Sequence, residues 1–361
     1  MSESSVEMKE QKSRKVAAAL KAQQWFTHPV GLTVSAVMTT LLWGSAMPAV
    51  KIGYEKLQIG TGQTFEQWVF AGYRFTLAGI MLVIFASVVE RAVHKGDRAD
   101  AGSTIRKRTS VKSGSTWFRV SRLAAVQTFM QYLCFYIGLS LSTGMQGAII
   151  SGATCFFQMV VARFIDSSER FTRRKTVGLL LGFAGVAVVT LTQGGFHVKL
   201  GLGDICLILS ALFGGIGNVL AKHESRDLPV LWLTGRQMLL GGIGLMIVGT
   251  VKAGITPFQW ELETMLLLAY LAFLSAAGFG LWNMIMKYNA VGKVSMYLFL
   301  IPVFGVFLSV VLLGEHFNEW TLAALLLVVA GIVVVNRTPA QAIATNDLDV
   351  TRKGASNQSV S

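Results

Sequence analysis

Apolar residues run along this chain in blocks of about twenty, separated by polar breaks. About twenty residues of helix cross the hydrocarbon of a bilayer. Ten such blocks can be placed, at about 33–54, 67–90, 120–141, 145–165, 175–192, 203–222, 231–251, 264–287, 292–313 and 319–336. The breaks between the third and fourth, eighth and ninth, and ninth and tenth blocks are very short, which makes those pairs antiparallel neighbours. The pattern therefore predicts an all-α integral membrane protein with ten transmembrane helices.

One block differs from the rest. Met296 to Glu315 is apolar throughout its interior, yet Pro302 lies near its middle. Proline lacks an N–H and clashes with the preceding turn. In hydrocarbon such a break is tolerated where other helices, side chains or water satisfy the freed groups. This span is expected to face protein or a cavity, with Pro302 as a hinge. Glu315 is expected to cap the short turn into the tenth span.

Composition agrees with the pattern. The chain is 53% hydrophobic and 14% charged, with mean hydropathy +0.55, against about 25% charged residues in soluble domains. That excludes a globular enzyme with one large core. The net charge of +13 first suggests nucleic acid, but its placement explains it otherwise. Of the 32 Lys and Arg residues, 26 fall in segments on one side of the ten-span layout and 4 on the other. Basic residues collect on the cytoplasmic side, so both termini are expected there and nucleic acid is not needed as a partner. The first 32 residues carry no short apolar core with a small-residue cleavage site, so span one is expected to be retained. Segment 91–119 reads as a basic, flexible cytoplasmic loop, and 337–361 as a disordered cytoplasmic tail. Cys134, Cys155 and Cys206 lie in apolar runs with no spacing for metal or disulfides. No cofactor is implied.

The chain also repeats itself. Glu169-Arg-Phe171, Leu179-Leu-Leu181, Ala184-Gly185 and Val188-Val189 recur 146 positions later as Glu315-His-Phe317, Leu325-Leu-Leu327, Ala330-Gly331 and Val334-Val335. Arg74-Phe-Thr-Leu77-Ala-Gly79 is echoed by Arg236-Gln-Met-Leu239-Leu-Gly241, and Trp43-Gly44-Ser45 by Phe213-Gly214-Gly215. Spans one to five thus repeat as six to ten. Because five is odd, the second copy is inverted, an arrangement associated with alternating access at a mid-membrane site.

The chain resembles bacterial drug/metabolite transporters of the EamA type, which carry two five-span repeats. The resemblance rests on Leu42-Trp43-Gly44-Ser45 with Lys51, Arg74-Phe75, Tyr136-Ile-Gly138-Leu139-Ser140 and Leu281-Trp282-Asn283. Its strongest element is Phe299-Leu-Ile-Pro302-Val-Phe-Gly305 with Leu313-Gly314-Glu315. It covers about 33–337. The long loop 91–119 and Phe213, in place of a frequent tryptophan, depart from the pattern. The resemblance implies two inverted repeats at 33–192 and 203–336. It also implies a bacterial inner-membrane location and export of small amphipathic metabolites such as amino acids. Spans one, three, four, six, eight and nine would line the cavity. The expected partners are a small-molecule substrate and the lipid bilayer, for a monomer or homodimer.

Polar groups at mid-depth are the site candidates, since ionisable and polar residues there are costly to bury. Gln127 and Gln131 share a face of span three, and Ser151 and Gln158 a face of span four. Asn218, Asn283, Ser295 and Tyr297 add donors and acceptors, and Trp43, Trp282 and Tyr297 could form a stacking wall. Arg74, Arg236, Glu169 and Glu315 read as structural or gating charges. No mid-depth Asp, Glu or His pair provides a relay or a nucleophile and base. A membrane-embedded enzyme and a non-transporting scaffold are the alternative readings.

Overall fold

The computed structural model describes residues 20–94, 114–165, 172–192, 201–317 and 319–336. Among them the chain forms a short helix at 20–27 and ten longer helical segments. These are α1 (Pro29–Lys56), α2 (Thr64–His94), α3 (Gly114–Ser140), α4 (Gly144–Ile165), α5 (Arg173–Thr192), α6 (Leu202–Glu224), α7 (Val230–Ala253), α8 (Leu262–Tyr288), α9 (Val291–Leu313) and α10 (Glu319–Asn336). Eight are long and apolar enough to cross a membrane. In α5 and α10 the apolar parts are shorter, Thr176–Gly185 and Glu319–Gly331, and these two helices pack on each other.

The helices alternate in direction. Arg119 and Arg122 near the start of α3 pair with Glu224 at the end of α6, and Lys222 donates to the Asn289 carbonyl after α8. This is the basic end of the bundle. At the opposite end Lys56 closes α1 against Glu263 of α8 at 3.0 Å. Large apolar side chains such as Ile84, Phe85, Phe307, Val311 and Leu326 stay exposed on the outside. A soluble monomer rarely exposes large apolar patches, and side chains of this kind suit a lipid surround.

The packing partners keep a pattern. α2 lies on α7, α5 on α10 and α4 on α9. α1 packs on α8 and α9, and α6 packs on α3 and α4. Moving every helix five places along the chain returns the same set of pairs. Glycine sets the closest approaches, because lipid offers no hydrophobic drive and helices associate through van der Waals contact between small residues. A Cβ on Gly242 of α7 would stand 2.5 Å from the Thr76 nitrogen of α2. One on Gly44 of α1 would stand 2.8 Å from Phe304 Cβ of α9, and one on Gly215 of α6 2.6 Å from the Gln158 nitrogen of α4.

Several local features differ from the sequence expectation. α1 starts at Pro29 rather than 33, because His28 accepts from the Val30 N–H and proline suits the first helical position. α3 starts at Gly114, so the end of the expected loop 91–119 is helix; its basic face is held by Glu224. Residues 124–130 of α3 are π-helical. α4 is interrupted at Gly152, and α9 passes through a 3₁₀ stretch at Ser295–Phe299 before Pro302. Gly314 ends α9 at φ 63°, a left-handed cap that glycine favours. Glu315 does not cap its own turn. Its two carboxylate oxygens accept from the Gly144 and Met145 N–H groups at 2.6 and 2.8 Å, so it caps α4 instead. The exposed N–H groups and positive end of a helix favour a carboxylate there. Glu169, the loop core 95–113, residues 1–19 and the tail 337–361 lie outside the described residues.

Candidate functional site

The helices enclose a cavity near their middles. Its walls are Trp43, Ala46 and Met47 of α1, Arg74 of α2, and Gln131, Tyr132 and Phe135 of α3. Ser151 and Thr154 of α4, Ser210, Ala211 and Asn218 of α6, Phe279 of α8, and Leu298 and Ile301 of α9 complete it. Its volume is about 60 Å³. That holds a few waters but falls short of the roughly 300–1,000 Å³ of a small-molecule pocket.

One wall is aromatic. Trp43 meets Phe279 edge to face at 5.1 Å and Trp282 at 5.6 Å between ring centroids. Trp282 is fully buried behind Trp43 and does not reach the cavity. Gly278 makes room for the Trp43 indole, since a Cβ there would stand 2.7 Å from Nε1. The Trp43 Nε1–H has no partner.

Beside it stands Arg74, 1% exposed. Nε donates to Ser275 Oγ at 2.7 Å and Nη1 to Tyr136 Oη at 3.3 Å, and the guanidinium lies over Phe75 and Tyr132 at 4.9 and 5.7 Å. Among the described residues no carboxylate pairs with it or lines the cavity. A charge at mid-bilayer costs about 2.5–3.5 kcal/mol on insertion scales. The hydroxyls and rings offset part of that. Arg236 sits differently: it is half-buried, folded over Trp232 at 4.1 Å, and outside the cavity.

Beneath the cavity, toward the basic end, four side chains form a directional chain. Gln127 Nε2 donates to Asn218 Oδ1 at 2.8 Å, and Asn218 Nδ2 to Gln158 Oε1 at 2.7 Å. Gln158 Nε2 then donates to Ser295 Oγ at 2.7 Å, and Ser295 Oγ to the Val291 carbonyl at 2.7 Å. The chain ties α3, α6, α4 and α9, and all four residues are buried. Asn218 belongs both to the chain and to the cavity wall.

Four of the ten residues expected to bind solute therefore line the cavity: Trp43, Gln131, Ser151 and Asn218. Gln127, Gln158 and Ser295 lie under it. Gln127 and Gln131 both face α6, packing against Gly217 and Gly214, but the polar chain takes Gln127 out of the cavity. Asn283 donates to Thr234 at 3.0 Å between α8 and α7, and Tyr297 pairs with Thr33 at 2.9 Å on an exposed face. Pro302 is buried against Gly152, whose Cβ would stand 2.9 Å from the proline Cγ, so the irregular points of α4 and α9 touch. Tyr132, Phe135, Thr154, Ser210 and Phe279 were not singled out by sequence. Tyr132 adjoins Gln131, and Ser210 is a lone hydroxyl in an apolar stretch, which were the available signals. Among the described residues no group of His, Cys, Asp and Glu could hold a metal ion.

A helical membrane bundle built around a mixed aromatic and polar central cavity defines the class of polytopic membrane carriers. The chain belongs to the EamA-like transporter family, which matches residues 32–191 and again 201–337; it is a membrane transporter. It is 30% identical over 275 residues to the uncharacterized transporter YvbV of Bacillus subtilis, covering 74% of this chain and 82% of that one. It is 28% identical over 200 residues to a probable amino-acid metabolite efflux pump of Salmonella typhimurium, covering 52% and 65%. A WAT1-related chloroplast protein of Arabidopsis thaliana is 27% identical over 306 residues, covering 81% and 66%. A crystal structure with TM-score 0.61 and 17% identity covers 84% of this chain and 96% of its own, a likeness of fold.

Proposed function

We propose that this protein exports small amphipathic metabolites by alternating access at the central cavity. The observation that carries this is the cavity's position between helices of both halves. α1 to α4 contribute from one side of the chain and α6, α8 and α9 from the other. The unchanged packing pairs on a five-helix shift support ten spans in two inverted repeats, 33–192 and 203–336. In such carriers one repeat rocks against the other about a fixed midplane site. The touching breaks at Gly152 and Pro302 serve as the hinge. On this reading, Glu315 capping α4 serves as the gate at the opposite end and the Gln127–Ser295 chain as the gate at the basic end; the bonds each makes support those roles.

Aromatic walls suit apolar parts of a solute, and Gln131, Ser151, Ser210 and Asn218 suit its polar parts. The Lys and Arg distribution supports cytoplasmic termini, and the bacterial relatives support an inner-membrane location. The Salmonella relative's name supports the outward direction. The test is tracer exchange in proteoliposomes of the purified chain against a broad metabolite panel. At least one amphipathic solute is expected to exchange, and faster from the side of the basic end. Exchange of none contradicts the proposal.

A further inference from the structure

We infer that Arg74 is the anion subsite of the cavity, and that the solutes carried are small organic carboxylates, zwitterions included. The inference rests on the transport reading above and names its substrate class. A guanidinium has five N–H groups in a fixed fork. Ser275 and Tyr136 take two of them. The side chain is buried, lines the cavity, and meets no carboxylate among the described residues.

Buried and partly buried carboxylates elsewhere are already engaged. Glu224 is held by Arg119 and Arg122, Asp204 by Gln146 and the Gly201 N–H, and Glu315 by the start of α4. All three sit at the ends of the bundle, and none is available as a counter-ion at mid-depth. An uncompensated charge in the membrane interior pairs with an opposite charge when one is offered. An anion for Arg74 therefore comes from outside the described residues, and the carboxylate of a solute is the one assigned here.

The surrounding groups fit that solute. Arg74 can grip a carboxylate with two parallel N–H donors. The Trp43 and Gln131 side chains line the same cavity; the Trp43 Nε1–H, turned toward Gly278, and Gln131 Oε1, beside Gly214, are buried without partners. Phe135, Phe279 and Ile301 provide apolar surface. A cationic solute would meet a like charge with no carboxylate to offset it, so amines lacking a carboxylate are disfavoured.

The test uses the purified full-length chain and two matched series: 3-phenylpropionate and phenylalanine against the amides of the same acids. Binding is read by thermal unfolding, since a ligand stabilises by mass action. The acids are expected to raise the melting temperature and the amides not to. Arg74→Gln is expected to weaken acid binding by roughly thirtyfold or more. Arg74→Lys, which keeps the charge without the fork, should fall between. Should Arg74→Gln not fold, Arg74→Lys and the acid–amide comparison on the unmodified chain still decide the assignment.

Equal response to acids and amides, silence of the acids, or unchanged acid affinity in Arg74→Gln overturns the assignment. So does a response to sodium chloride as large as that to the acids, which would give Arg74 to inorganic anions. Tracer exchange with cationic, neutral and anionic solutes separates the two levels. Movement of cations or neutral solutes alone defeats the subsite and leaves transport standing. Movement of none defeats both.

Discussion

Asn218 of α6 donates to Gln158 of α4 at 2.7 Å, and neither side chain is more than 3% exposed. The bond joins the first half of the chain to the second directly below the cavity, and Asn218 is also part of the cavity wall. A bond between the two halves thus shares a residue with the cavity wall.

Breaking the chain of amides has a measurable cost. Side-chain hydrogen bonds inside membrane proteins average about 0.6 kcal/mol and reach about 1.7 kcal/mol. A double-mutant cycle over Gln158→Leu and Ser295→Ala, followed by reversible unfolding, is expected to return a coupling in that range. Strict additivity would show that the 2.7 Å contact contributes nothing.

Glu315 makes a second, separable prediction. Glu315→Ala removes both acceptors from the Gly144 and Met145 N–H groups. Losing a helix N-terminal cap costs about 0.5–2 kcal/mol. Amide exchange at Gly144 and Met145 is expected to speed up by about 2- to 30-fold, with residues of α7 unchanged. Unaltered exchange at α4 would remove Glu315 from the closure of that end.

The pairing of Gly152 with Pro302 can be tested by rescue. Gly152→Ala places a methyl 2.9 Å from Pro302 Cγ, and overpacking of this kind costs about 1–3 kcal/mol. Pro302→Ala removes the ring that the methyl meets. The double variant is expected to recover part of the stability lost in Gly152→Ala. A double variant no more stable than the sum of its parts would show that the two breaks do not bear on each other.

Much of this was legible in the sequence. Block length and low charge announced the helices, and the matched Glu315, Gly331 and Arg236 positions announced the repeat. Trp43, Gln131, Ser151 and Asn218 were legible because polar or amphipathic side chains at mid-span are costly unless used. Three things were not. The destination of Glu315 depends on α4 arriving at the end of α9, a contact between residues 170 positions apart that no local pattern encodes. The difference between Arg74 and Arg236 arises because Ser275 and Tyr136 receive one while Trp232 covers the other. Gln127 and Gln158 look like cavity residues in periodicity alone; only their mutual partner Asn218 assigns them to the layer beneath.

Access to the cavity from both faces is the claim on which the rest depends. In a variant with Cys134, Cys155 and Cys206 replaced, Ser151→Cys puts a single thiol on the cavity wall. A membrane-impermeant thiol reagent is applied to sealed vesicles from one side and then the other. Labelling is expected from each side in turn, with transported solute slowing both rates. A thiol reached from one face alone, whatever solute is present, would contradict alternating access at this cavity.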